Sequence, residues 1–171
     1  GSFGVSSIYD VMFLYSSNLN VAPNIRVVTD SLFVGNVRKV MDKHQLRHAD
    51  YMSTDTYFGE IHFNRGSSSA RSSASSYALA NSISALVEVR GVHLGKTSFK
   101  RRIKTAFLTG LSFLETTFNN FDLVKKTLKD AQSIEQKLSV SSKKNIYKDT
   151  IEVIDMNDYS ILNLPITVRD A

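Results

Sequence analysis

The sequence predicts an α/β fold, a mixed sheet with helices packed on it, followed by a small C-terminal β extension. Two observations predict it. Short apolar runs of strand length, at residues 8–15 and 83–89, alternate with longer stretches whose apolar residues recur every three or four positions. The tail then returns to two apolar runs around a polar turn. The length supports one core: 171 residues, 42% of them hydrophobic, with ten Phe and seven Tyr, suit one domain and hardly two.

Taken in order, Ile8 to Tyr15 is an apolar run ended by Ser16-Ser17-Asn18, which suits a buried strand and leaves a helix open. After Pro23, a residue suited to a first helical turn, Ile25, Val28, Leu32, Phe33, Val37 and Met41 recur at helical spacing, so an amphipathic helix is expected over 24–43. From Tyr51 to Ser76 the pattern breaks up, and the seven serines within Gly66 to Ser76 read as a mobile loop, too small and polar for a core. A helical turn is expected around Tyr77 to Asn81. Ile83 to Val89 reads as a strand interrupted near its end by Glu88, and a carboxylate at the end of a buried strand needs a reason. Phe99, Ile103, Phe107, Leu111, Leu114 and Phe118 then repeat at three and four, and Val124, Leu128, Ala131, Ile134 and Leu138 continue after Asn119-Asn120. Helices over 98–118 and 123–138 follow. Strands at 151–154 and 161–168 complete the chain, which divides into a main unit at 3–138 and a β extension at 139–171.

Composition narrows the function. No apolar run approaches the roughly 18 to 20 residues of a membrane span, so no membrane span is expected. With no cysteine, disulfides, thiolate metal sites and cysteine nucleophiles are excluded. The formal charge of +5 comes from one stretch, Lys96 to Lys104, and the rest is balanced. That is not the whole-chain basic field of a dedicated nucleic-acid binder, so no nucleic acid is expected as a partner and the patch reads as the wet first turns of a helix. Gly1-Ser2 reads as a cut boundary, with an upstream part missing.

The four histidines, His44, His48, His62 and His93, form no His-x-x-Glu or His-Glu-x-x-His pair, so a self-contained zinc hydrolase site is not expected. His44 and His48 share a helical spacing but read as a solvated face. The stretch from Gly91 to Thr97 has three residues between its glycines where a phosphate loop needs four.

The informative stretch is Ala85-Leu86-Val87-Glu88-Val89-Arg90-Gly91-Val92-His93-Leu94-Gly95-Lys96, followed by Phe99-Lys100-Arg101-Arg102-Ile103. It resembles the end of the catalytic domain of zinc metallocarboxypeptidases of the carboxypeptidase A superfamily, especially the bacterial branch. Tyr9-Asp10, Tyr15, Asn18 and Pro23 fit that branch's upstream pattern, and the likeness spans about Phe3 to Phe118. It implies a three-layer α/β/α fold of which this chain supplies part, and a peptide bond hydrolysed near a C-terminus with Glu88 as general base. It also implies a zinc ion in the parent protein. The family's zinc ligands all precede the matched segment, so none is in this chain, and the missing N-terminal half of the catalytic domain becomes an implied partner. The family binds the peptide's terminal carboxylate with Arg, for which Arg71 is the nearest candidate, and Tyr77 fits a residue covering the substrate. Val89 and His93 depart from the pattern, standing where Thr and Gly are common. Exported relatives imply a periplasmic or secreted parent.

Two function classes follow. One is a metallocarboxypeptidase-like enzyme of which this chain alone is inactive. The other is a non-catalytic pseudoenzyme or binding module on the same scaffold, motivated by the absence of every zinc ligand.

Overall fold

The short run at the start forms strand β1 (Val11–Tyr15), as its β-branched and aromatic residues favour. In this computed structural model, which describes residues 8–91, 98–133, 138–140, 145–155 and 157–170, it is the middle of a three-stranded sheet. A long helical passage then crosses back. It comprises α1 (Pro23–Val27), a π-helical stretch (Val28–Val34) and α2 (Gly35–Lys43), with Pro at its first turn as expected. The crossover lets β2 (His48–Asp50) run parallel to β1, pairing Val11 with His48.

The next segment differs from its reading as a broken pattern. It is a hairpin of β3 (Met52–Tyr57) and β4 (Glu60–Arg65), closed by Phe58-Gly59 with φ of 51° and 79°. Two residues at positive φ make the tight turn whose twist matches paired strands. Phe at the first position is an uncommon choice, which is why the turn left no trace in the sequence.

The serine-rich segment is also not one loop. Ser72 caps a helix α3 (Ser73–Leu79), its hydroxyl accepting from the Ser75 amide at 3.2 Å. The part before it is fastened to the end of β1: the Ser17 amide donates to the Ser67 carbonyl at 3.2 Å, and Asn18 Nδ2 to the Ser68 carbonyl at 2.7 Å. The Ser75 hydroxyl, fully buried, lies 3.0 Å from that of Ser16. Small hydroxyl side chains here form an internal polar seam, which composition alone reads as solvent-facing.

Strand β5 (Ala85–Val89) lies antiparallel to β1, Glu88 opposite Met12. Helices α4 (Phe99–Asn119) and α5 (Phe121–Ser133) follow with the expected break. The tail's β6 (Ile146–Ile154) and β7 (Ile161–Asp170) form a hairpin, and β7 also pairs in parallel with β4, so the extension shares a four-stranded mixed sheet with the earlier hairpin. Pro165 sits in β7 outside the stretch paired with β4, where its missing N–H costs least.

Two cores result. Val11 and Phe13 of β1, with Val87 and Val89 of β5, pack against Val34, Val37 and Met41 of the long helical passage and against Leu108 and Phe113 of α4. Phe113 meets the Phe33 ring edge-on at 5.9 Å. A smaller core joins Val21, Ala22 and Ile25 to Ala78 of α3 and Ala131 of α5. Among the described residues, no helix is long and apolar enough to cross a membrane.

Candidate functional site

Alternation along β5 decides where Glu88 points. Ala85, Val87 and Val89 pack on the main core, so Leu86 and Glu88 project to the opposite face of the sheet, beside Met12. Glu88 is half-buried. Arg71 and Tyr77 are exposed, at the other end of β5: Arg71 in the segment bonded to the end of β1, and Tyr77 on α3. The Ser84 hydroxyl donates to the Ala74 carbonyl at 2.7 Å and holds α3 to the start of β5. Three strand positions, about 10 Å of rise, separate that end from Glu88.

At the sheet end nearest Glu88, Asp10 organises the charges. Its carboxylate accepts from Arg101 Nε at 2.5 Å and Nη2 at 2.7 Å, and from the Arg47 amide at 2.8 Å. That bidentate hydrogen bond to Asp10 outweighs burial and raises the Arg101 pKa. Arg102 Nη1 donates to the Gly91 carbonyl, and the Arg90 amide to the Asp10 carbonyl at 2.9 Å. Two cations of the basic patch are therefore structural. Lys96 and His93 lie outside the described residues, as does most of the loop from Gly91 to Thr97.

A second site was not legible in the sequence. The carboxyl ends of the parallel pairs β1–β2 and β4–β7 converge on a cleft of about 360 Å³, lined by Tyr15, Ser17, Arg26, Asp50, Arg65 and Asp170 with Phe13 and Leu19. Ligands in α/β proteins favour the carboxyl ends of strands. The lining is a charge network: Arg38 Nη2 donates to Asp50 Oδ1 at 2.5 Å, Arg65 Nη2 to Asp149 Oδ2 at 2.5 Å, and the Tyr147 hydroxyl to Asp170 at 3.1 Å. The Arg65 guanidinium also stacks over the Tyr147 ring at 5.5 Å. Burial, aided by the charge of Asp50, pushes the Tyr15 hydroxyl up to about 12, so it is a neutral donor rather than a base at physiological pH. Burial opposes the Arg65 charge, but Tyr147 and the carboxylates of Asp50, Asp149 and Asp170 overcome it and raise the pKa. Two buried polar atoms here lack hydrogen bonds, Arg65 Nε and Ser17 Oγ; Asp50 Oδ2 is 4.0 Å from Arg65 Nε. Both can donate, a combination suited to a carboxylate oxygen. The sequence signal was faint, since these residues come from five separate elements and the loop after β1.

The described residues do not fit a zinc ion. They include no group of three His, Asp or Glu side chains placed to hold a metal. His48 Nε2 lies 3.0 Å from Asp42 Oδ1, and His62 Nε2 lies 3.8 Å from Glu60 Oε2.

Against known proteins, the chain is similar to fungal carboxypeptidases. It is 23% identical over 162 residues, 92% of this chain, to a probable carboxypeptidase 2 of Trichophyton verrucosum and to carboxypeptidase 2 of Trichophyton rubrum, and 22% identical to carboxypeptidase 2 of Trichophyton equinum. The match covers 31% and 30% of the first two, so the chain spans about a third of the length of the curated relatives it matches. No family model and no solved structure matches. The relationship to carboxypeptidases is thus a distant one.

Proposed function

We propose that this chain is part of a carboxypeptidase-like hydrolase, in which Glu88 is the general base for hydrolysis of a peptide bond near a C-terminus. The observation that carries the reading is the similarity to carboxypeptidases over 92% of the chain, with Glu88 within the most family-like stretch. In this reading the Glu88 carboxylate takes a proton from the attacking water as its oxygen bonds to the carbonyl carbon. It returns that proton to the amine as the C–N bond breaks. Arg71 would bind the terminal carboxylate and Tyr77 cover it. Zinc would be held by residues outside this chain, and the chain alone would be inactive. The test is Glu88→Gln in a longer protein carrying this chain: kcat on a short peptide falls about 10²- to 10⁴-fold while peptide affinity holds. Unchanged kcat removes Glu88 from the chemistry.

A second reading, a non-catalytic binding module, is favoured by the cleft at Arg65, which lies apart from Glu88 and presents two unpartnered donors. It predicts that Arg65→Gln abolishes binding of a short peptide, that Glu88→Gln leaves binding intact, and that no turnover occurs. Turnover that depends on Glu88 would set it aside.

A further inference from the structure

Helix α4 is packed inside out relative to its sequence. Its buried residues are Thr105, Thr109, Ser112 and Thr116, while Phe99, Ile103, Phe107, Leu111, Leu114 and Phe118 face outward, Phe107 at 64% and Phe118 at 84% exposure. The inward hydroxyls tolerate burial because they bond within the helix, Thr105 to the Arg101 carbonyl at 2.8 Å and Thr109 to the Thr105 carbonyl at 2.9 Å. The outward stripe runs from Phe99 to Phe118, about 28 Å, well beyond the scattered single apolar residues of an ordinary surface.

Three further observations bear on what covers it. Helix α4 packs on α2 and on β5, and β5 is the edge of its sheet: it pairs with β1 and with no other described strand. The helix that carries the apolar face thus packs on the strand that ends its sheet, as in an α/β layer whose next strand and helix are supplied from elsewhere. Lys100 and Lys104 border the stripe and have no ion partner among the described residues. Lastly, the matched relatives are about three times as long as the matched segment.

We propose that the outward face of α4 and the free edge of β5 form one seam, on which the rest of a longer polypeptide docks through an apolar surface with an acidic rim. The proposal rests on the carboxypeptidase reading for the length of that polypeptide. A second copy of this chain fits less well, since it would bring the same basic border to the seam.

The absence of cysteine from the chain makes the test direct. Phe107→Cys and Leu114→Cys, with Asn119→Cys off the stripe and exposed as a control, are labelled with a maleimide in this 171-residue chain and in the protein expressed with its flanking gene sequence, each site followed by peptide mass. In the longer protein both stripe thiols should react on the order of a hundredfold more slowly than in the short chain, with Asn119→Cys fast in both. Using two stripe positions guards against one variant failing to fold. Stripe thiols as reactive as the control in the longer protein would overturn the proposal. So would protection in the short chain accompanied by a dimer mass, or a gene product no longer than this chain. Labelling needs no turnover: an inactive protein with protected thiols would refute the peptidase reading alone, and an active one with reactive thiols would refute this seam alone.

Discussion

In α2, Val37 and Met41 are fully buried against the sheet, whereas in α4 residues at the same helical spacing, Leu114 and Phe118, face outward above a buried line of threonines and serine. Both helices are amphipathic and both touch the same core. What differs is the polar anchoring. Helix α4 is fixed at its start by Arg101 on Asp10 and near its end by Asn36 Nδ2 donating to Thr116 Oγ1 at 3.1 Å, and these contacts set its roll. Helix α2 has its main polar anchor, Arg38, on the flank, where it reaches Asp50 and leaves the apolar stripe facing inward. Periodicity establishes that a stripe exists; polar contacts at the ends choose what it faces.

The comparison can be broken first at the α2 side. Met41→Ala should cost about 2–5 kcal/mol in urea unfolding, while Phe107→Gln in the same chain should change stability by less than about 0.5 kcal/mol. Equal losses would mean that α4 packs stripe-inward. The anchor comes next. Asp10→Asn keeps the size but removes the charge that holds Arg101, and should cost about 1.5–3 kcal/mol, with slower maleimide labelling of Phe107→Cys as the helix becomes free to roll. No change in either readout would assign the roll to packing alone.

The smallest effect concerns Tyr15, which supports Arg38 of α2. Burial raises its pKa to about 12 from the 10.0 of a free tyrosine. The unfolded chain therefore gives up this proton near pH 10 and the folded chain only near 12. Stability from keeping the phenol neutral is full below pH 10 and is lost as pH rises through 12. Tyr15→Phe should flatten that part of the alkaline unfolding curve and remove the last tyrosinate step in an ultraviolet titration. An unaltered titration would place Tyr15 in solvent.

Much of the framework was legible. The run ending at Tyr15, the helical spacing from Pro23 to Met41, the strand around Val87 and the break at Asn119-Asn120 all appear where the pattern put them, because apolar periodicity follows burial directly. The hairpin of β3 and β4 was not, since Phe58-Gly59 lacks the usual turn signature and its strands are largely polar. Helix α3 was hidden by serines that satisfy one another internally. The cleft at Arg65 depends on residues brought together by sheet pairing across more than a hundred positions, and spacing along the chain carries no trace of it. Glu88 stood out as a carboxylate ending an apolar strand, and the role proposed for it came from its family-like surroundings.

The π-helical stretch between α1 and α2 has a consequence of its own. Ile25, before it, belongs to the small core, and Val37 and Met41, after it, to the large one. A wider turn offsets the phase of everything downstream. A π turn takes up one residue more than an α turn, so removing one residue between Val28 and Val34 lets it close to an α turn with Ile25 and Met41 still facing their cores, whereas inserting one would rotate one half of the helix against the other by about 100°. This helix should therefore tolerate a single deletion here better than a single insertion, and an alignment with relatives that opens a one-residue gap here keeps the inward positions on both sides in register.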